Sequence, residues 1–75
     1  MSRLPALRPQ QVVRALERAG FVLLRVRGSH HRLHHPERPE LLVTVPMHNR
    51  DLKPGTLHAI TRQAGMDNEE FAALL

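Results

Sequence analysis

The sequence predicts an α+β domain in which helices pack on one face of a three-stranded antiparallel sheet. Three observations lead to this prediction. An apolar pattern of helical period lies near the start of the chain, short apolar segments bounded by glycine or proline fill its middle, and two more helical segments close it. The predicted order is α-β-β-β-α-α, and the other sheet face is expected to be open to solvent or a partner.

The first helix is predicted to begin at Pro9, because proline suits the first helical position. Gly20 is the expected stop, since glycine tolerates the left-handed conformation found at helix C-termini. Residues 1–8 are expected to form a flexible N-terminal segment of a single domain that spans residues 1–75. The apolar stripe of this helix consists of Val12, Val13, Leu16 and Ala19.

Three strands are predicted to follow the first helix. Residues 21–27 form a short apolar and β-branched segment between two glycines, which is typical of a strand. Residues 30–35 form the second strand, and residues 41–45 form a third that Pro46 stops. The intervening residues 36–39 are expected to be a turn.

The second strand has one apolar residue, Leu33, so its side is assigned to the core. Alternation then places His31 on the core side, together with Leu33. It directs His30 towards solvent, on the same side as Arg32 and His34.

Two helices are predicted after a polar loop over residues 47–51. Pro54-Gly55 begins the second helix, and Gly65 is its expected stop. Asp67 is expected to cap the last helix, because Glu70 follows at the spacing of a capping box. The apolar stripes consist of Leu57, Ile60 and Ala64 in the second helix, and of Phe71, Leu74 and Leu75 in the last.

Composition and charge limit the classes of function. The chain has 75 residues, enough for one modest core, and no cysteine for a disulfide framework or a thiolate metal site. The net charge is +4 and the basic residues are nearly all arginine, which indicates a polyanionic partner such as nucleic acid. No apolar run approaches the roughly 18 residues of a membrane span. With no secretory signal evident after Met1, a cytoplasmic location is expected.

The run Gly28-Ser29-His30-His31 is the strongest candidate for a chemical site. Histidine has an ordinary pKa of about 6.5, the nearest of any side chain to neutral pH. RNA carries its own nucleophile, the 2′-hydroxyl, so one positioned base and nearby cations could support slow cleavage. A solitary histidine is weak evidence, however. From chemistry alone, a phosphate-contact or surface role for His30 is favoured over a catalytic one. The candidate phosphate ligands are Arg25, Arg27, Arg32 and Lys53, the last at a helix N-terminus.

A metal site is not predicted, although the chain has six histidines. His30 and His34 would lie about 13 Å apart along a strand, too far to share one ion. No cofactor is predicted either. The chain has two phenylalanines but no tyrosine or tryptophan, so RNA would be bound through phosphates, 2′-hydroxyls and shape. Double-stranded RNA-binding domains use that mode and share the α-β-β-β-α order.

Five segments together resemble the HicA (YcfA-like) toxin family, and the resemblance extends from about Val12 to Leu75. It implies a double-stranded-RNA-binding-domain-like fold and an mRNA interferase that cleaves RNA without a metal and is blocked by a HicB-type antitoxin. The catalytic histidine of the family corresponds to His30, which Gly28 and Ser29 would present. The segments are Ala19-Gly20-Phe21, Arg27-Gly28-Ser29-His30-His31, Val43-Thr44-Val45-Pro46, Leu52-Lys53-Pro54-Gly55-Thr56-Leu57 and Arg62-Gln63-Ala64-Gly65.

Two alternatives stay open at the level of the sequence. A non-catalytic double-stranded RNA-binding module would share the fold and the charge but would leave RNA uncut. A small interaction protein would instead dock a protein partner on the open face or on an exposed strand edge.

Overall fold

Residues 3–75 are described by the computed structural model, and they contain three helices and one antiparallel sheet of three strands. The predicted α+β class and the order α-β-β-β-α-α are confirmed. In chain order the elements are α1 (Pro9–Arg18), β1 (Val22–Arg27), β2 (His30–His35), β3 (Arg38–Pro46), α2 (Pro54–Gln63) and α3 (Asn68–Ala72).

The helix boundaries follow local sequence signals. The Arg8 N–H donates to Gln11 Oε1 at 2.8 Å before α1 begins at Pro9. Gly20 has a φ of +98°, the left-handed conformation expected after a helix end. At α3, the Glu70 N–H donates to Asp67 Oδ1 at 2.8 Å and the Asp67 N–H donates to Glu70 Oε1 at 3.0 Å. The predicted capping box is therefore confirmed.

The core lies between the helices and one face of the sheet. Strands are arranged in the order β1-β2-β3, and α1 and α2 both pack mainly against β3. Leu33 is fully buried, which confirms that its side of β2 faces the core. The other large side chains at the centre of the core are Val12, Leu16, Val43, Val45, Ile60 and Phe71.

Strand β1 lies at the edge of the sheet, and all six of its residues are exposed. The helices therefore leave both sides of this strand uncovered. Its apolar side chains are about half exposed: Val22 48%, Leu23 45%, Leu24 51% and Val26 54%.

Both predicted boundaries of the third strand are wrong, because the strand begins before residue 41 and includes Pro46, which pairs with His30. Strand β3 begins at Arg38 rather than at residue 41, because Arg38 pairs with His35 and leaves only Pro36 and Glu37 in the turn. Pro39 is tolerated inside this strand because β3 is the other edge of the sheet.

The last helix buries less apolar surface than predicted. Phe71 is fully buried and Leu74 is half-buried, whereas Leu75 is 46% exposed. Leu74 and Leu75 both lie beyond the end of α3, so the helical spacing that predicted one apolar stripe does not extend to them.

The N-terminal segment is attached to the domain at Leu7. Its side chain is buried, and its carbonyl accepts a hydrogen bond from the Leu52 N–H at 2.8 Å. Met1 and Ser2, which belong to the segment predicted to be flexible, lie outside the described residues. Among residues 3–75, no helix combines the length and the apolar content needed to cross a bilayer.

Candidate nucleic-acid interface

A two-residue turn presents His30 at the start of β2. Gly28 has a φ of +57° and Ser29 a negative φ, a sign pattern that matches the type II′ hairpin turn. No atom lies within 4 Å of where a Cβ on Gly28 would stand, so backbone conformation rather than space favours glycine. The Ser29 carbonyl accepts from the Met47 N–H at 2.6 Å, which ties the turn to the segment after β3. This turn sets Arg27 directly opposite His30.

A β-bulge at Leu24 places Leu23 and Arg25 on opposite sides of the sheet. Leu23 pairs with Leu33 and Arg25 pairs with Arg32, so Leu24 is left without a partner in β2. Paired residues of antiparallel strands share one side of the sheet. Arg25 therefore lies on the side of Arg32, away from the core. Without the bulge, regular pairing from the turn would keep Arg25 opposite Arg32 and would place Leu23 on the outer side as well.

The side of the sheet away from the helices is called the outer face below. It carries His30, which is exposed, at the end next to the turn. Its side chains form three rows across the strands, which are Arg27–His30–Pro46, Arg25–Arg32–Thr44 and Val22–His34–Leu42.

The outer face is positively charged, and none of the residues in these three rows is acidic. The two ion pairs found within residues 3–75 involve other arginines, Arg8 with Asp51 at 3.9 Å and Arg38 with Glu40 at 3.4 Å. Arg25 and Arg32 face each other, and like charges in opposed positions destabilise a sheet. A bound anion would offset that repulsion, which makes the face suited to phosphate.

Lys53 lies outside these rows. It is the exposed N-cap residue of α2. The Thr44 N–H donates to Gln63 Oε1 at 3.1 Å, so the C-terminal end of α2 lies beside the middle of β3. The structure thus brings together His30, Arg25, Arg27 and Arg32, and leaves Lys53 as a separate positive charge at the start of α2.

Two other histidines of β2, His31 and His35, are half-buried and lie on the core side of the sheet. His31 is half-buried in a row between Val26 and Val45, as alternation predicts. His35 contacts residues on both sides of the sequence, Ala19 and Phe21 before β2 and Glu37 after it. Its Nδ1 accepts from the Glu37 N–H at 3.2 Å, so the proton on Nε2 is directed at the Ala19 carbonyl, also at 3.2 Å.

Phe21 meets the His35 ring edge-on, with the ring centroids 5.2 Å apart. His35 was not among the residues for which the sequence predicted a role. Its position two residues after Leu33 on the same side of a strand is the signal that could have identified it. No group of three or more histidine or acidic side chains in the described residues is arranged to hold a metal ion.

The comparison with known families agrees with this architecture. A family described as HicA toxin of bacterial toxin-antitoxin matches residues 9–66, which is more than half of the chain. The chain belongs to the HicA toxin family. The match runs from the first residue of α1 to just beyond α2, so it includes the whole outer face and Lys53. A search among curated proteins finds no match.

Membership of the HicA family confirms the predicted resemblance and makes this chain the toxin of a toxin–antitoxin pair. Family membership does not by itself assign roles to individual residues of this chain. The catalytic role of His30 and the phosphate contacts of Gly28, Ser29, Arg25, Arg27, Arg32 and Lys53 stay predictions, which are developed as a proposal below.

Proposed function

We propose that this HicA toxin is an endoribonuclease that binds and cuts messenger RNA with His30 as its single acid–base residue. The observation that carries the proposal is the position of His30 on the outer face. It is exposed, it lies opposite Arg27, and the neighbouring row holds Arg25 and Arg32 without a carboxylate.

The chemistry needs only one proton carrier. The His30 imidazole takes the proton of a 2′-hydroxyl, and the 2′-oxygen forms a bond to the adjacent phosphorus. The bond from phosphorus to the 5′-oxygen breaks, and that oxygen leaves with a proton. The proton removed in the first step equals the one required in the last, so a single imidazole can accept and then return it. The products are a 2′,3′-cyclic phosphate and a 5′-hydroxyl end.

Arginine side chains would supply the positive charge that a metal ion supplies in other nucleases. Negative charge builds on the phosphate oxygens during the attack, and fixed cations aimed at that charge lower the barrier. Arg25, Arg27 and Arg32 are the residues proposed to hold phosphates on the outer face, with the backbone of Gly28 and Ser29 beside them. Lys53 and the first amides of α2 would bind a further phosphate of the same strand. The proposed reaction therefore uses no metal ion and no cofactor.

The RNA is proposed to be bound through its backbone rather than by stacking. Phe21 and Phe71 are the two aromatic residues of the chain, and both are buried. Stacking platforms of single-stranded RNA-binding domains need exposed aromatic rings. We further propose a HicB-like antitoxin as the partner that neutralises the toxin, and the cytoplasm as the compartment where both meet mRNA.

The decisive experiment compares His30→Ala with His34→Ala. Both residues lie on the outer face of β2, so both changes remove an imidazole from the same face of the same strand. His30→Ala should lower the rate of RNA cleavage by about 10²- to 10⁴-fold, the usual contribution of a positioned acid or base. His34→Ala should leave the rate within a few-fold of wild type.

Three controls make the result interpretable. Both variants should keep the melting temperature of the wild type, and a chelator should leave cleavage unchanged. Cleavage that survives in His30→Ala would remove His30 from the mechanism, and loss with a chelator would require a metal. RNA that is bound and recovered intact by the wild-type chain would indicate the non-catalytic double-stranded RNA-binding module instead.

A further inference from the structure

We infer that the free edge of β1 binds an extended segment of a protein partner in which acidic and apolar side chains alternate. The segment would add a fourth strand to the sheet, as in other cases of β-strand addition. The inference rests on the proposed partnership with an antitoxin, and it adds where and by what chemistry that partner binds.

The inner side of β1 provides the first argument. Leu23 and Val26 lie in the rows of Leu33 and His31, on the side of the sheet where the helices pack. They are nevertheless 45% and 54% exposed, because α1 and α2 pack mainly on β3, at the opposite edge of the sheet from β1. An added strand would place every second side chain beside them. Apolar side chains at those positions would remove both residues from water.

The outer side of the same strand provides the second argument. Arg25 and Arg27 lie there and are exposed, and neither forms an ion pair within residues 3–75. Side chains of an added strand point alternately to the two sides of the sheet. Acidic residues at the outward positions would meet the two arginines while apolar residues at the inward positions cover Leu23 and Val26. A single added strand, with side chains that alternate between the two sides, would therefore contact both the arginines and the apolar residues.

Charge argues against a second copy of the chain as the occupant. The net charge is +4, so two copies repel each other. In an antiparallel pairing of β1 with itself, the registers centred on Arg25 or on Val26 set arginine opposite arginine. Like charges in opposed positions disfavour pairing. RNA is also a poor occupant of the inner side, because Leu23 and Val26 offer aliphatic surface and no donor for phosphate.

The test uses a synthetic peptide of sequence Glu-Val-Glu-Val-Asp-Val-Glu with blocked ends. A control peptide has the same sequence, with methyl groups on every second backbone nitrogen so that it cannot pair with a strand edge. We expect saturable binding of the first peptide, with NMR amide shifts and slowed hydrogen exchange along β1. The control peptide has the same charge and should bind at least tenfold more weakly. Equal binding of the two peptides would overturn the inference, because only charge attraction would then be at work.

Two variants with matched exposure test the apolar contact. Leu23→Gln removes an apolar side chain that is 45% exposed on β1, and Leu75→Gln removes one that is 46% exposed at the C-terminus. Leu23→Gln should weaken binding of the first peptide by about four- to tenfold, the factor expected for losing the burial of roughly half a leucine side chain. Leu75→Gln should have no effect. Equal affinities of the two variants, or sedimentation showing that the chain alone dimerises through β1, would refute the docking site.

RNA cleavage is measured in parallel to keep the two proposals apart. Leu23→Gln should cleave RNA at the wild-type rate, because Leu23 lies on the inner side of the sheet. Failure of His30→Ala to lose cleavage would overturn the nuclease proposal and leave the peptide result intact. Failure of the peptide to bind would overturn the docking site and leave the nuclease intact.

Discussion

Removal of the outer-face arginines should change how RNA binding depends on salt. Arg25, Arg27 and Arg32 are exposed on one face and have no carboxylate partner among residues 3–75. Each phosphate that a protein neutralises on a single strand adds about 0.7 to the slope of log K against log salt. Each arginine-to-alanine change should therefore lower that slope by about 0.7, and the triple change by about 2. In 0.15 M salt this corresponds to about fourfold weaker binding for one change and about fiftyfold for three.

The measurement is fluorescence anisotropy with a single-stranded RNA whose 2′-oxygens are methylated. This RNA stays intact because its nucleophile is blocked. Titrations at four salt concentrations give the slope for each variant. Arg14→Ala is the matched control, because Arg14 is exposed on α1, which packs on the opposite side of the sheet. Its slope should equal that of the wild type.

Thermal unfolding separates lost contacts from lost structure. Arg25 and Arg32 repel each other across the two strands, so removing either charge should leave the domain slightly more stable, by about 0.2–1 kcal/mol. Weaker RNA binding must then come from missing charge rather than from unfolding. Slopes that stay unchanged in all three variants, or that fall equally in Arg14→Ala, would refute the assignment of the outer face to phosphate.

Three further changes test the local structure. Gly20→Ala should destabilise the domain by about 1–3 kcal/mol in urea unfolding, because φ is +98° there and a Cβ would stand 2.8 Å from His35 Nε2. Asp67→Ala should lower the free energy of unfolding by about 0.5–2 kcal/mol in the same assay, since it removes the cap of α3. Deletion of Leu24 should leave the salt slope of RNA binding unchanged, because the residue is unpaired and its loss restores regular alternation. A slope as low as that of the triple arginine variant would show that the arginines of β1 had turned inward.

Local signals explain the parts of the fold that the sequence predicted. Gly20 and Pro9 bound the first helix, and Asp67 with Glu70 caps the last, because these residues act on their own few neighbours. The prediction that His30 lies on the face away from the core followed from the burial of Leu33 and from the alternation of side chains along a strand. Such inferences need no knowledge of what lies across the sheet.

The features that the sequence did not predict depend on pairing between strands. The bulge at Leu24 arises from the register between β1 and β2, and an apolar run such as 21–24 shows no break where the extra residue falls. The early start of β3 depends likewise on Arg38 pairing with His35. The bulge bears on function because it places Leu23 on the inner side, while Arg25 and Arg27, whose pairing is fixed from the Gly28-Ser29 turn, lie on the outer face with His30.

Strand β1 contributes to both proposals through its two sides. Arg25 and Arg27 point to the outer face, where RNA phosphates are proposed to bind, and Leu23 and Val26 point to the inner side. A strand added at this edge would lie beside β1 and would leave His30, on β2, uncovered. Its acidic residues would nevertheless sit next to the two arginines and neutralise the charge that attracts phosphate. Binding of such a partner would therefore lower the affinity of the toxin for RNA. High salt would weaken this inhibition, because the partner and the RNA are both attracted by the charges of Arg25 and Arg27.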